Sequence, residues 1–155
     1  MRFPALNSAL AYERDNAMRI NFSDIEHAFY YVSSAPMTAN TAVLCKETSE
    51  IFYASDYDDE NEIPEEIYFR EDCLKIPHRN DLDLGRNLVF EFVERYLPED
   101  FERVRHIFRR KGAYGRYKDF LEDRGFLKKW YDFENSRQTE TLREWCKENE
   151  ITLIG

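Results

Sequence analysis

The first half of the chain alternates short apolar runs with polar turns. Met18 to Phe22 alternates apolar and polar residues, which predicts a β-strand. Ser23 and Glu26 follow at the spacing of a capping box, in which each side chain accepts a hydrogen bond from the other residue's backbone amide. Behind them, four apolar residues form one helical stripe: Ile25, Ala28, Phe29 and Val32. This pattern predicts a helix that Pro36 closes.

Two further apolar runs predict a β-hairpin. Thr41 to Lys46 and Ile51 to Ser55 are separated only by the polar residues Glu47 to Glu50. This loop contains no glycine, which a type I turn tolerates. Cys73 to Ile76 predicts one more short strand, which Pro77 ends.

From Asp81 onward the apolar spacing becomes helical. Four residues at four-residue intervals predict a helix that stops near Leu97: Leu84, Leu88, Phe92 and Tyr96. Pro98 suits the first position of the next helix, which has its own apolar stripe of Phe101, Val104 and Phe108. Gly112 suits the position just after that helix.

The last part of the chain predicts further helices. Tyr114, Tyr117 and Leu121 mark a helix that Gly125 terminates. An aromatic cluster follows, made of Trp130, Tyr131 and Phe133, and then a final helix striped by Leu142, Trp145 and Cys146. Strands followed by helices predict an α+β fold. We expect a small antiparallel sheet of the N-terminal strand, the hairpin and one further strand, packed against a C-terminal set of four to five helices.

The length of 155 residues suits one domain. Met18 stands directly before the first strand, so residues 1–17 are interpreted as an optional N-terminal extension and residues 18–155 as a single domain. No run approaches the roughly 18 apolar residues that a transmembrane helix needs, and the N-terminal apolar stretch is too short for a signal peptide. The sequence therefore predicts a cytoplasmic protein without membrane contact.

Three widely spaced cysteines, Cys45, Cys73 and Cys146, indicate buried reduced thiols rather than a disulfide framework or a zinc site. The acidic loop that begins at Asp56 resembles a calcium loop only superficially, because it lacks the central glycine and has Ile67 at the twelfth position. We expect neither a metal nor another cofactor.

Charge is distributed unevenly along the chain, whose net charge is −9. Residues 47–66 contain nine acidic and no basic side chains, whereas residues 103–129 contain ten basic and three acidic ones. An acidic surface repels phosphate groups, while a basic surface attracts them over about one Debye length.

The basic region supplies the candidate binding residues. They are Arg109, Arg110, Lys111, Arg116 and Lys118, with Tyr114 as a ring that could stack on a base. Arg86 joins them because it follows Gly85, a residue that allows close approach of another group to the backbone. A competing interpretation is that the basic side chains pair with the acidic residues of the same chain.

The sequence contains none of the familiar motifs for nucleotide binding, metal-dependent hydrolysis or serine catalysis. No catalytic residue is therefore predicted. An enzyme could still use Arg86, His106 or Arg116 at a cleft between the helices and the sheet.

Several segments resemble a bacterial group known as uncharacterised protein family zero-one-five-eight. They are Leu84-Gly85-Arg86, Gly112-Ala113-Tyr114, Trp130-Tyr131 and the closing Arg143-Glu144-Trp145-Cys146. The similarity runs from about Met18 to Ile151, and it implies no established activity and no catalytic residue.

Three functions stay open. The opposed charges favour a non-enzymatic cytoplasmic module that binds a protein partner. The first alternative is binding of RNA or single-stranded nucleic acid through residues 103–129, and the second is a small enzyme. Oligomeric state is not predicted.

Overall fold

The computed structural model describes residues 19–59 and 62–154. The chain forms two compact units. Unit 1 is the described part of Met1–Arg79 with Leu142–Gly155, and unit 2 is Asn80–Thr141. Helices and a small antiparallel sheet confirm the α+β class. The predicted extension, residues 1–17, lies outside the described residues, and the single domain over residues 18–155 stays a prediction.

The first strand, β1 (Arg19–Asn21), does not join the antiparallel sheet. It pairs in parallel with Thr152–Ile154, the last strand of the described chain, and Ile20 lies opposite Leu153. The predicted place of the N-terminal strand is therefore wrong. Strands usually pair with neighbours in sequence, and nothing in a three-residue run specifies a partner at the other end of the chain.

The first helix, α1 (Phe22–Ser33), buries the predicted stripe. It begins one residue before Ser23, after Asn21, and its N-terminus has no side-chain cap. The predicted capping box is therefore wrong. Phe22 is itself buried and is the first residue of the helix. Ser23 therefore lies inside the first turn instead of preceding it.

The antiparallel sheet has β2 (Asn40–Cys45) at its centre, between β3 (Glu50–Ser55) and a later strand, β4 (Cys73–Lys75). The hairpin and the additional strand are confirmed. Ser49 in the hairpin turn has a φ of 60°, the left-handed conformation that a glycine would adopt more readily. A one-turn helix, α2 (Glu65–Tyr68), precedes β4.

Cys45 and Cys73 lie opposite each other in the β2–β4 pair and form a disulfide. The prediction of reduced thiols is wrong for this pair, because 28 residues separate the two cysteines and only the register of the sheet brings them together. Cys146 is a buried free cysteine, as predicted.

Unit 2 is mainly helical. A 3₁₀ turn (Arg79–Leu82) spans the boundary of the unit, and a second one (Pro98–Asp100) connects its first two α-helices. The α-helices are α3 (Arg86–Tyr96), α4 (Phe101–Ile107), α5 (Ala113–Arg124) and α6 (Leu127–Glu148). Residues of α6 up to Thr141 belong to unit 2, and its remainder and β5 (Thr152–Ile154) belong to unit 1. None of the helices within residues 19–59 and 62–154 has both the length and the apolar character to cross a membrane.

The helix boundaries in unit 2 agree only in part with those predicted from glycine positions and apolar spacing. Gly125, with a φ of 73°, ends α5 as predicted. Gly112 does not end α4, which stops at Ile107; it precedes α5 with a φ of 75°. The prediction of a separate final helix is also wrong. α6 continues through the polar residues 134–141, which include no glycine or proline that would break it.

Aromatic rings fill the interior of unit 2. The ring of Trp130 lies 5.3 Å from that of Phe92 and 5.1 Å from that of Tyr117. Tyr117 in turn packs at 5.5 Å from Phe108. These edge contacts connect α3, α5 and α6, and they fix the positions of the polar side chains on the outside of the same helices.

Candidate functional site

The guanidinium of Arg116 is engaged by the backbone of unit 2. It donates hydrogen bonds to three backbone carbonyls, those of Lys111 at 2.7 Å, Ile107 at 3.2 Å and Arg110 at 3.2 Å. Two of these carbonyls belong to the connection between α4 and α5, and the third belongs to the last residue of α4. Because helix C-terminal carbonyls lack partners within the helix, Arg116 stabilises this connection.

Most other basic side chains near Arg116 contact groups of unit 2. Lys118 lies over the ring of Tyr131 at 5.6 Å. Further contacts join Arg103 to Phe120, Arg124 to Asp100, Lys128 to Asp132 and Lys129 to Tyr96. Ion pairs with carboxylates of unit 2 thus compensate part of the charge of the basic region, whereas no ion pair within the described residues joins it to residues 47–66.

Tyr114 is partly exposed, and its ring packs edge-on against that of Phe108 at 5.1 Å. Gly85 lies immediately before α3, where an added Cβ would meet the side chain of Asn80. The end of the exposed Asn80 side chain thus lies against the backbone of this glycine, and its neighbour Arg86 is exposed.

Arg86 belongs to a groove of about 580 Å³ formed by α3, α4 and the residues that follow α4. Its lining consists of three arginines and three phenylalanines: Arg86, Arg105, Arg109, Phe90, Phe101 and Phe108. We call it the arginine–phenylalanine groove. It lies entirely within unit 2.

The helical repeat explains how the sequence builds this groove. Arg86 and Phe90 are four residues apart on α3, and Phe101 and Arg105 are four residues apart on α4, so each helix presents one arginine and one phenylalanine together. Arg109 follows four residues after Arg105. Each arginine is exposed at the protein surface.

The floor of the groove is a set of packed rings. Phe90 lies 5.7 Å from Phe101 and 5.9 Å from Phe108, and the guanidinium of Arg86 lies 5.8 Å from the centre of the Phe108 ring. Phe108 is almost completely buried, whereas Phe90 and Phe101 are half-buried. The floor therefore offers apolar ring surface beside positively charged side chains.

The charges in the groove are only partly compensated. Arg105 is 3.6 Å from Glu102, and both side chains are largely exposed. No ion pair within the described residues involves Arg86 or Arg109. The groove therefore carries positive charge that the described ion pairs do not fully compensate, so the arrangement is suited to a negatively charged ligand.

The structure brings together only some of the predicted site residues. Arg86 and Arg109 line the groove, whereas five others are not among its lining residues in the described chain: Arg110, Lys111, Tyr114, Arg116 and Lys118. Sequence reasoning did not name the other four lining residues as binding residues: Phe90, Phe101, Arg105 and Phe108. The repeated four-residue spacing of arginine and phenylalanine was the signal that could have found the first three.

Within residues 19–59 and 62–154, no group of three or more metal-ligating side chains could hold a metal ion. Comparisons with protein-family models, curated proteins and solved structures give no match to the chain. Membership of family zero-one-five-eight therefore stays a prediction, and the properties of the groove must support any proposal about function.

Proposed function

We propose that the chain is a non-enzymatic interaction module that binds a short acidic segment of a protein in the arginine–phenylalanine groove. The observation that carries the proposal is the arrangement of three guanidinium groups around three phenylalanine rings in one groove. Guanidinium groups bind carboxylates through paired hydrogen bonds, and an aromatic or aliphatic side chain of the same segment would cover the rings.

The chemistry of the lining favours binding over catalysis. Arginine keeps its proton at neutral pH, and phenylalanine has no proton to exchange. Among the three residues proposed for an enzyme, Arg86 lines the groove, Arg116 donates to backbone carbonyls and His106 is exposed. These positions support a role for Arg86 in holding a charged ligand.

A short acidic segment of a protein fits the groove better than a nucleic acid. A nucleic-acid strand is usually held by a row of cations along its backbone, but Arg116 and Arg124 are engaged within unit 2. The net charge of −9 also repels a long polyanion more strongly than a short segment.

The proposal includes a cytoplasmic location and membership of the bacterial family zero-one-five-eight. The resemblance supports the family, whereas the Cys45–Cys73 disulfide is a bond that a reducing cytoplasm opposes. Alkylation of thiols in intact cells tests the location. Recovery of Cys45 and Cys73 as alkylated thiols would support the cytoplasm, and recovery of the disulfide would contradict it.

The binding proposal is tested with a fluorescein-labelled peptide of alternating glutamate and phenylalanine. The groove variant combines Arg86→Gln with Arg109→Gln, and we expect it to bind at least about tenfold more weakly than the unchanged chain. The matched control combines Arg110→Gln with Lys111→Gln. It removes the same charge from residues outside the lining, so its affinity should change by no more than about twofold.

Two results would overturn this proposal. Equal losses in the groove variant and its control would show that net charge, rather than the groove, attracts the peptide. Tighter binding of a labelled single-stranded oligothymidylate with the same number of charges would support the nucleic-acid alternative instead. Fluorescence anisotropy measures both affinities under the same ionic conditions.

A further inference from the structure

We infer that the occupant of the arginine–phenylalanine groove is the acidic turn of a second copy of this chain, so that the protein associates with itself. The acidic turn is the segment 56–59, Asp56-Tyr57-Asp58-Asp59, which directly follows β3. This inference rests on the proposed function, since it requires the groove to bind acidic segments.

Hydrogen bonds hold the acidic turn in a defined shape. The amide of Asp56 donates to the carbonyl of Ala39 at 2.8 Å, and the amide of Asp58 donates to the carbonyl of Ser55 at 3.2 Å. The amide of Tyr57 donates to the hydroxyl of Ser55 at 3.2 Å. A turn that is already ordered loses little conformational freedom on binding, which favours its use as a ligand.

The exposed side chains of the turn match the lining of the groove. The side chain of Tyr57 is 76% exposed, and a carboxylate precedes and follows it in sequence. Tyrosine is common at the centre of protein interfaces because it combines a large apolar ring with a polar end. Its ring would lie on the phenylalanines, while the neighbouring carboxylates would lie beside the arginines.

A second copy of this chain is the favoured occupant, because one chain carries both halves of this complementary pair. The acidic turn lies in unit 1 and the groove in unit 2, so each copy can offer a ligand and a binding site. Such contacts join unlike surfaces and produce either a closed pair or a longer series of copies. The net charge of −9 per chain opposes the approach of two copies, so we expect weak association. Strong salt should abolish it, because salt screens the attraction between the exposed carboxylates and guanidinium groups.

Sedimentation velocity of the full chain tests the inference from micromolar to millimolar concentration. The unchanged chain should show a rise in mean mass with concentration. The groove variant, Arg86→Gln with Arg109→Gln, and a turn variant, Asp56→Asn with Tyr57→Ala and Asp58→Asn, should each remain monomeric. A mixture of the two variants should associate again, because the turn of the groove variant can enter the intact groove of the turn variant.

A matched control separates the acidic turn from general acidity. Glu65→Gln with Glu66→Gln removes two negative charges from the exposed first turn of α2, and this variant should associate like the unchanged chain. If the groove variant loses its helical circular dichroism, the single change of exposed Arg109→Gln replaces it and should still weaken association.

Three results would overturn the inference: a monomeric unchanged chain at millimolar concentration, association that survives in either variant, or a mixture that stays monomeric. A monomeric chain that still binds the glutamate–phenylalanine peptide through Arg86 and Arg109 would refute self-association and leave the proposed function standing. Failure to bind that peptide would refute both.

Discussion

Reduction of the Cys45–Cys73 disulfide should destabilise unit 1 substantially. The bond joins the central strand β2 to the edge strand β4, and it closes the segment that contains β3, the acidic turn and α2. After reduction, the unfolded chain no longer carries this closed loop and gains conformational freedom. The folded sheet keeps its register through the backbone hydrogen bonds between the same strands.

The size of the effect follows from the sequence separation of 28 residues. In the chain-entropy description, a loop of this length contributes about 3.6 kcal/mol to the free energy of unfolding at 25 °C. We therefore expect reduction to lower the thermal midpoint by at least about 7 °C.

Thermal unfolding followed by circular dichroism, with and without dithiothreitol, measures this effect. Thiol titration of the denatured chain should find one thiol, that of Cys146, before reduction and all three afterwards. The control combines Cys45→Ala with Cys73→Ala, and its midpoint should not respond to dithiothreitol.

Two observations would refute this reasoning. Three thiols in the chain before reduction would mean that the bond does not form in solution. A single thiol, together with a midpoint that dithiothreitol leaves unchanged despite complete reduction, would mean that closing this loop does not limit the unfolded chain. In that case the sheet would owe its stability to packing alone.

Two further predictions concern unit 2. The hydroxyl of Tyr117 is buried without a hydrogen-bond partner among the described residues. Tyr117→Phe should therefore raise the free energy of unfolding by about 1 kcal/mol, as measured by urea titration, and a loss of stability would contradict the reasoning. The control, Tyr131→Phe, changes an exposed tyrosine and should have no effect. Arg137 donates to Glu91 at 2.7 and 2.9 Å, and these hydrogen bonds lower the pKa of Glu91. A lowered pKa in the folded state gives stability that is present above the unfolded pKa and is lost as pH falls through the folded one. At neutral pH, Glu91→Gln should therefore lower the free energy of unfolding by at most about 1 kcal/mol, because the pair is exposed. This difference from the unchanged chain should disappear in acid, and a difference that stays constant with pH would refute the assignment.

Local patterns predicted much of the secondary structure. The stripe from Ile25 to Val32, the glycine-free hairpin and the stop at Gly125 were all readable, because each depends on side chains within a few residues of one another. The errors lie at boundaries. Because Phe22 is buried, α1 begins before Ser23, so the capping pattern at Ser23 misplaced its start. A glycine that ends α4 and a glycine that precedes α5 look the same in the sequence around Gly112.

The residues of the candidate site were harder to predict from the sequence than the secondary structure. Arg86 and Arg109 were predicted as binding residues, but Arg109 was grouped with Arg110, its neighbour in sequence. Arg109 lies just beyond the end of α4, and the chain there brings it to the same groove as Arg105 and the phenylalanines, whereas Arg110 does not line that groove. Charge density along the chain indicated the region of the groove, and it did not indicate which side chains share a surface there.

The sequence by itself determined the α+β class, the faces of the helices and the segregation of charge along the chain, because these depend on residue type and short-range periodicity. Only the tertiary structure decided that β1 pairs with β5, that Cys45 meets Cys73, and that the arginines of α3 and α4 surround common rings. Each of these contacts joins segments separated by a turn or by much of the chain. Their free energy depends on loop closure and on the packing of surfaces that no local pattern specifies.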